Sequence, residues 1–401
     1  MPTRDRAKDL CPGALQVHLA ADGGVARIRL PGGRLTASQL RAVLDAAARL
    51  GDGTVELTSR ANLQVRGLAP GTESALAGRL AGAGLLPSAT HERVRNIIAS
   101  PLAGRDGAGV AEVRDLVEAL DEALCARPAL ARLPGRFLFT VDDGRGDVAW
   151  LDADVAALFV TPDTAAVLLG DADVGLRAGR ADLAALMLDC AEAFLELRED
   201  HWRIAELDFG PARIAEHLGV AVKTGPAIGT QPPTRHGPLG VLDQTDGLVS
   251  IGVAVPLGWL DRDRGAALAR AGTDLVITPW RGAILTDLPV SALDAALTGL
   301  RAAGFLLDPA QPGVGVSACT GKPGCAKALA DVRADAAAML EHPSGSPMPV
   351  HWSGCGRRCG RPRGRVLDVV ATEGGYLVGA QDRPVPAAIA VGLAARGRTV
   401  R

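Results

Sequence analysis

VELTSRANLQV, residues 55–65, returns as LVITPWRGAIL, residues 275–285, and the pair decides the fold. The same offset of 220 places Leu288 on Leu68, Ala303-Gly304 on Ala83-Gly84, and Thr278 on Thr58 without a gap. One offset that satisfies several separate matches marks an internal duplication. Around the first copy, residues 25–30 alternate as a strand that PGG breaks, and Thr36 with Gln39 forms a capping box over a helix. Leu40, Val43, Leu44 and Ala47 repeat along that helix at the spacing of one buried face. Two short β runs, 54–58 and 61–65, follow, joined through Ser59 and Arg60, and a second helix turns Leu76, Leu80 and Ala83 inward before Gly84. The order β-α-β-β-α is a ferredoxin-like unit. We expect an α+β protein in which two such half-domains pack about a pseudo-dyad and leave a cleft between them.

The chain has 401 residues, 48% hydrophobic and 22% charged, enough for several domains with a substantial core. A net charge of -2 supplies no bulk attraction to nucleic acid or an anionic membrane, and with 3% aromatic residues there is little to stack bases on. An anionic ligand therefore has to be met by local arginines. The first residues lack the apolar core of a secretory signal, and no run has the length of a membrane span, so a soluble, cytoplasmic protein is expected. Seven cysteines fit ligands plus free thiols in a reducing compartment better than a disulfide framework.

Between the copies, residues 112–126 predict an amphipathic helix carrying Val113, Leu116, Val117 and Leu120 inward, with Cys125 beside the core. Residues 136–141 and 148–151 suggest a hairpin turned through Asp143-Gly144, and residues 181–197 a helix with Cys190 as a buried thiol. Cys11, in CPG, is expected to be inert. Residues 225–240 hold four prolines and four glycines and read as a linker. The expected division is a first half-domain at 1–90, an α/β domain at 91–224, the linker, a second half-domain at 241–310, and a cysteine-bearing domain at 311–401 that closes with strands near 366–370 and 376–378 and a helix after Pro386.

That last region holds SACTGKPGC, with Cys319 and Cys325, and HWSGCGRRC, with Cys355 and Cys359. Zinc usually takes tighter pairs, whereas four thiolates at wider spacing in glycine-rich turns suit a cubane 4Fe-4S cluster whose sulfurs accept backbone N–H groups. Gly321, Gly324, Gly354, Gly356 and Gly360 would permit that approach, and Lys322, Arg357 and Arg358 would offset the anionic charge. Cys325 would also open a helical run over 326–340 whose N-terminus favours a thiolate. A zinc site remains the alternative on spacing alone.

The cysteine frame resembles that of the sulfite and nitrite reductase family, and the resemblance extends over essentially the whole chain. It implies that the four cysteines hold a 4Fe-4S cluster and that Cys359 faces the iron of sirohaem where that cofactor is bound. TSRANLQVRG, residues 58–67, is similar to the family's TTRQNIQLRG stretch over the macrocycle; VRNIIASPLAG resembles RNVTGCPLAG, and LPGRFLF resembles LPRKFK. By this resemblance Arg60, Arg66, Arg95 and Arg136 would clamp ligand carboxylates, with Asn62, Gln64 and Asn96 orienting the ring. Alternation along a hairpin would set Arg60, Asn62, Gln64 and Arg66 on one surface, against Trp280, Gly282, Ile284 and Thr286 in the second copy, which suggests one ligand site rather than two.

The departures matter. Two alternating cations in the family's KFK segment correspond here to Arg136 and Leu138, and the glutamine after the first arginine to Ala61. Losing one charge-assisted hydrogen bond costs about 1.5 to 3 kcal/mol, a large share of what holds a small anion. The pattern is thus closer to the precorrin-3B synthase branch of the family, which implies dioxygen-dependent hydroxylation of precorrin-3A at C20 with γ-lactone formation in cobalamin biosynthesis, an electron donor left open, and a mononuclear non-haem iron besides the cluster. A sirohaem-dependent nitrite or sulfite reductase and a non-catalytic tetrapyrrole carrier are the alternatives. The seven histidines show no local ligand pairing; His351, beside the cysteines, comes nearest.

Overall fold

The computed structural model describes residues 9, 11–221, 236–342, 346, 348–362 and 364–397. The first copy runs β1 (His18–Ala20), β2 (Gly23–Ile28), β3 (Arg34–Thr36), α1 (Ala37–Leu50), β4 (Val55–Leu57), β5 (Leu63–Leu68) and α2 (Glu73–Gly82). The expected capping box is present: the Thr36 side chain accepts from Gln39 N while the Gln39 side chain accepts from Thr36 N. Leu40, Val43, Leu44 and Ala47 of α1 are buried beneath it.

Next come β6 (Ile97–Ala99), α3 (Arg114–Ala126), β7 (Phe139–Asp142), β8 (Val155–Thr161), β9 (Thr164–Leu169), β10 (Ala172–Gly179), α4 (Arg180–Leu197) and α5 (Gly210–His217). The strands form one sheet in the order β10-β9-β8-β7-β6, with α3 and α4 packed in its core. The hairpin expected through Asp143-Gly144 is not formed: β7 pairs in parallel with both β6 and β8, and residues 148–151 are not a strand. The reason is Asp142, whose carboxylate accepts from the backbone N–H groups of Gly144, Gly146, Val148 and Ala149 and ties the segment into a loop. Cys190 is buried on α4, its thiol pushed up to about 12 by burial and then by Asp189, and Cys125 packs at the margin of the same core.

The second copy follows as β11 (Gly240–Asp243), β12 (Val249–Ala254), β13 (Trp259–Leu260), α6 (Arg262–Ala271), β14 (Asp274–Ile277), β15 (Gly282–Leu288) and α7 (Leu293–Ala302). Its sheet repeats that of the first copy, but each half lends a strand to the other. β13 completes the first sheet, in the order β1-β2-β5-β4-β13, and β3 completes the second, β11-β12-β15-β14-β3. The two halves share one hydrophobic core, in which Leu40 and Val43 of α1 and Leu268 of α6 are fully buried. Of the expected linker, residues 225–235 lie outside the described residues.

The chain closes with β16 (Val316–Ala318), α8 (Val332–Leu340), β17 (Val350–Ser353), β18 (Leu367–Thr372), β19 (Gly375–Val378) and α9 (Ala387–Ala395). β16, β17 and β18 are parallel, β19 returns antiparallel, and Trp352 is buried edge-on to Tyr376 beneath them. Among the described residues no helix is long and apolar enough to cross a membrane.

Candidate cluster site and arginine-lined cleft

Parallel pairing of β16 with β17 brings the ends of two adjacent strands together, and each end delivers a cysteine pair. Cys319 follows β16 and donates its backbone N–H to Trp352 O at 2.9 Å, while Gly354, following β17, donates to the Cys319 Sγ at 3.1 Å. Cys325 does not open a helix, as its flanking apolar residues suggested. Its N–H closes a turn onto Gly321 O at 2.8 Å, residues 326–331 stay irregular, and the helix begins at Val332 under an Asp331 cap. Gly321 has φ +70°, and a Cβ there would meet Val332 Cγ2 at 2.8 Å, so the turn requires glycine.

The donor set fits a group larger than one ion. Among the described residues the only three ligand atoms within 4.8 Å of one another belong to Asp142, Asp143 and Asp147, so no three of the cysteine sulfurs are gathered that closely. A tetrahedral zinc, at about 2.3 Å from each sulfur, would draw them to roughly 3.8 Å. Burial raises the Cys359 thiol above its ordinary value, and Cys319, Cys355 and Cys325 raise it further. Four thiols close enough to oppose each other's ionisation, and not gathered in the way one zinc ion gathers them, are donors of the kind a cubane would use.

All four cysteines line a cavity of about 770 Å3. A second cavity of about 550 Å3 adjoins it, and the two share Ser59, Arg60, Arg281, Arg357, Cys359 and Gly360, so they are lobes of one cleft with Cys359 at the junction. Burial, followed by the proximity of Arg203, Arg27 and Arg136, brings the Arg60 pKa down to about 9, and its buried Nε has no hydrogen-bond partner. Arg27 donates to Gln64 Oε1 at 2.8 Å, and among the described residues Arg29 behind it donates only to the backbone carbonyls of Arg93, Pro12 and Gly135. Among the described residues none of Arg27, Arg29 and Arg60 forms an ion pair. Buried guanidinium groups without carboxylates are costly, and an anionic ligand would relieve that cost.

Of the residues singled out in the sequence, Arg60, Gln64, Arg66 and Arg136 line the cleft. Arg66 is occupied: its guanidinium grips Asp22 at 2.9 and 2.8 Å and donates to Gly324 O at 3.1 Å, fastening the Cys325 loop to β5. Asn62, Arg95 and Asn96 instead serve the interior. Asn62 Oδ1 accepts from Leu30 N at 2.9 Å and its Nδ2 donates to Asn96 Oδ1 at 3.2 Å, while Asn96 Nδ2 donates to Gly135 O and Phe137 O. Arg95 is fixed to Asp121 at 2.7 and 2.5 Å. Strict alternation fails because Ala61 sits at φ 54°, which turns Asn62 away from the cleft before β5 begins. Ala61 is itself buried with Leu138, so its side chain takes no part in either lobe, whereas Leu138 floors the smaller one with Leu151 and Trp280.

Four contributors were not visible as such. Arg27 lies on a strand whose alternation marks burial rather than contact. Arg281 and Trp280 come from the second copy, expected to be unequipped, and line the smaller lobe. His351 is fully buried: Nε2 donates to Cys359 O at 3.0 Å and Nδ1 accepts from Ser317 Oγ at 2.9 Å. Burial, with Arg281 and Arg361, lowers its pKa to about 3, so it stays neutral. Both ring nitrogens are engaged, and His351 props the cysteine loop rather than offering a metal ligand. Cys11 lies off the cleft, its thiol raised by burial and Asp9.

A family profile described as "Nitrite/Sulfite reductase ferredoxin-like half domain" matches residues 18–83. A ferredoxin–nitrite reductase from Synechococcus elongatus is 30% identical over 388 residues, covering 84% of this chain and 74% of that protein. A precorrin-3B synthase from Sinorhizobium sp is 26% identical over 382 residues, covering 91% of this chain and 81% of that protein. The solved structure of the Mycobacterium tuberculosis NirA protein superposes with a TM-score of 0.74 at 20% identity, over 93% of this chain and 80% of that one, a likeness of fold.

Proposed function

Because this chain belongs to the nitrite and sulfite reductase family, we propose that it is an oxidoreductase working on a polycarboxylate tetrapyrrole, of the precorrin-3B synthase type. The substrate would be precorrin-3A, hydroxylated at C20 by dioxygen with closure of a γ-lactone from the ring A acetate. One observation carries this reading: in the smaller lobe Arg136 is followed by Leu138 on an apolar floor shared with Leu151 and Trp280, not by a second cation. Such a surface suits the face of a large ring whose carboxylates reach arginines at the rim better than it suits a small anion such as nitrite or sulfite. The Ala61 difference lends no support, since that side chain is buried away from the cleft.

Cys319, Cys325, Cys355 and Cys359 would hold a 4Fe-4S cluster, which when bound supplies one-electron transfer at the junction of the lobes. Arg60 and Arg136 would bind substrate carboxylates, Arg27 and Gln64 would hold Arg60's surroundings in register, and Arg66 would position the Cys325 loop. A sirohaem-dependent nitrite reductase is the second reading, favoured by the 30% identity to such an enzyme. Anaerobic purification, then addition of precorrin-3A and oxygen with mass analysis of the product, separates the two. A gain of oxygen by the tetrapyrrole supports the proposal; a tightly bound sirohaem with nitrite or sulfite reduction by a dye donor, and no oxygen gain, overturns it.

A further inference from the structure

We propose that Arg281 ties the occupancy of the cleft to the reduction potential of the cluster held by Cys319, Cys325, Cys355 and Cys359. The proposal deepens the reading above and rests on its cluster and its polycarboxylate ligand. Three observations on Arg281 converge. It lines both lobes of the cleft, as Cys359 does. Its Nη2 donates to the backbone carbonyl of Gly360 at 2.6 Å, directly after Cys359, whose own carbonyl is held by His351 Nε2 at 3.0 Å. Among the described residues it forms no ion pair, and the Glu56 carboxylate acts on it only through space.

The contact is built into the backbone on both sides. Arg281 stands at φ 56° and Gly360 at φ 76°, a left-handed backbone that glycine adopts without strain as it presents its carbonyl to the guanidinium. The equivalent residue of the first copy, Ala61, shares the conformation at φ 54° but is a buried methyl group, so this cation belongs to one half alone. Burial brings the Arg281 pKa down to about 10, which leaves it charged at neutral pH.

A guanidinium has five N–H donors, so one spent on Gly360 leaves others to face a ligand. A fixed positive charge beside an anionic cluster favours the reduced form and raises its potential. A carboxylate drawn to the remaining donors would offset that charge and lower the potential. By linkage, the reduced cluster would then hold the polyacid less tightly than the oxidised one.

The test is a dithionite titration of the one-electron couple, followed by the EPR signal of the reduced cluster. Wild type, R281K and R281Q are each titrated with and without uroporphyrin, an octacarboxylate tetrapyrrole, at saturation by fluorescence quenching. The wild-type potential is expected to fall when uroporphyrin binds. In R281Q it should start lower, and the ligand-induced shift should shrink to less than half; R281K, which keeps the charge, should retain most of both. A wild-type potential that ignores bound uroporphyrin overturns the proposal, as does R281Q with wild-type potential and shift. Loss of iron from both variants also overturns it, leaving Arg281 a structural tie. Wild-type protein with no iron and acid-labile sulfide, or with no affinity for uroporphyrin, would sink the underlying functional reading instead, and this proposal with it.

Discussion

The turns at residues 58–62 and 278–282 have one backbone and two uses. In each, the threonine N–H donates across the turn, Thr58 to Asn62 O and Thr278 to Gly282 O, both at 2.9 Å. In each the threonine hydroxyl accepts from the returning N–H, Asn62 at 3.1 Å and Gly282 at 3.2 Å, and the residue before it takes a positive φ. The side chains then diverge. The first turn sends Arg60 into the cleft and buries Ala61; the second lays Trp280 against the apolar floor and aims Arg281 at the Cys359 loop. Duplication preserved the scaffold while dividing the two cations: Arg60 is the third residue of its turn and Arg281 the fourth of its own.

The largest effect that bears on this division lies at the cysteines. Cys355→Ser should remove the cluster and all activity, read as loss of iron, sulfide and visible absorbance in protein kept from air; retention of both would dismiss the cluster assignment. Arg60→Ala should leave iron content unchanged while weakening uroporphyrin binding by about 10- to 150-fold, the worth of about 1.5 to 3 kcal/mol in charge-assisted hydrogen bonding. If iron fell instead, the turns would not be separate in function.

Thr58→Val and Thr278→Val sharpen the point, because the first strips the Arg60 and Asn62 N–H groups of their acceptor and the second strips that of Gly282. Both should lower stability in urea by about 1 kcal/mol. T58V alone should also reduce uroporphyrin affinity, and T278V alone should speed loss of iron to a chelator; matching behaviour in both assays would erase the distinction.

The smallest expected effect is a control outside both turns. Burial and then the Asp142 carboxylate push Asp147 up to about 7, against an ordinary value of 3.8. The folded state therefore holds this proton more tightly than the unfolded chain, so its contribution to stability is full below about pH 4 and declines as pH rises toward 7. Asp147→Asn should flatten that decline in denaturant midpoints, with uroporphyrin affinity and iron content unchanged.

Much of this was legible in the chain. A capping box, two periodic helices and an offset that recurs without a gap are local signals, each readable within a few residues, and they established the duplicated α+β plan. The cysteine quartet was legible as residue type and spacing, and Arg60 as part of a motif; the structure gathers all five on one cavity. Asn62, Arg95 and Asn96 were misplaced because their polarity looked like contact, while their partners, Leu30 N, Asp121 and the 135–137 carbonyls, lie 26 to 41 positions away.

Sequence by itself determined the repeated unit, the cysteine frame and the shortage of cations at Leu138, since these are statements about order and residue type. Tertiary structure alone decided that β3 and β13 change places between the halves, that Ala61 faces the core while Arg281 faces the cysteines, and that the Cys325 segment stays unwound. The physical reason is that none of the three is a local property of the chain. A strand edge is completed by whichever partner satisfies its hydrogen bonds, and a side chain's surroundings follow from a backbone sign of φ that residue type does not encode.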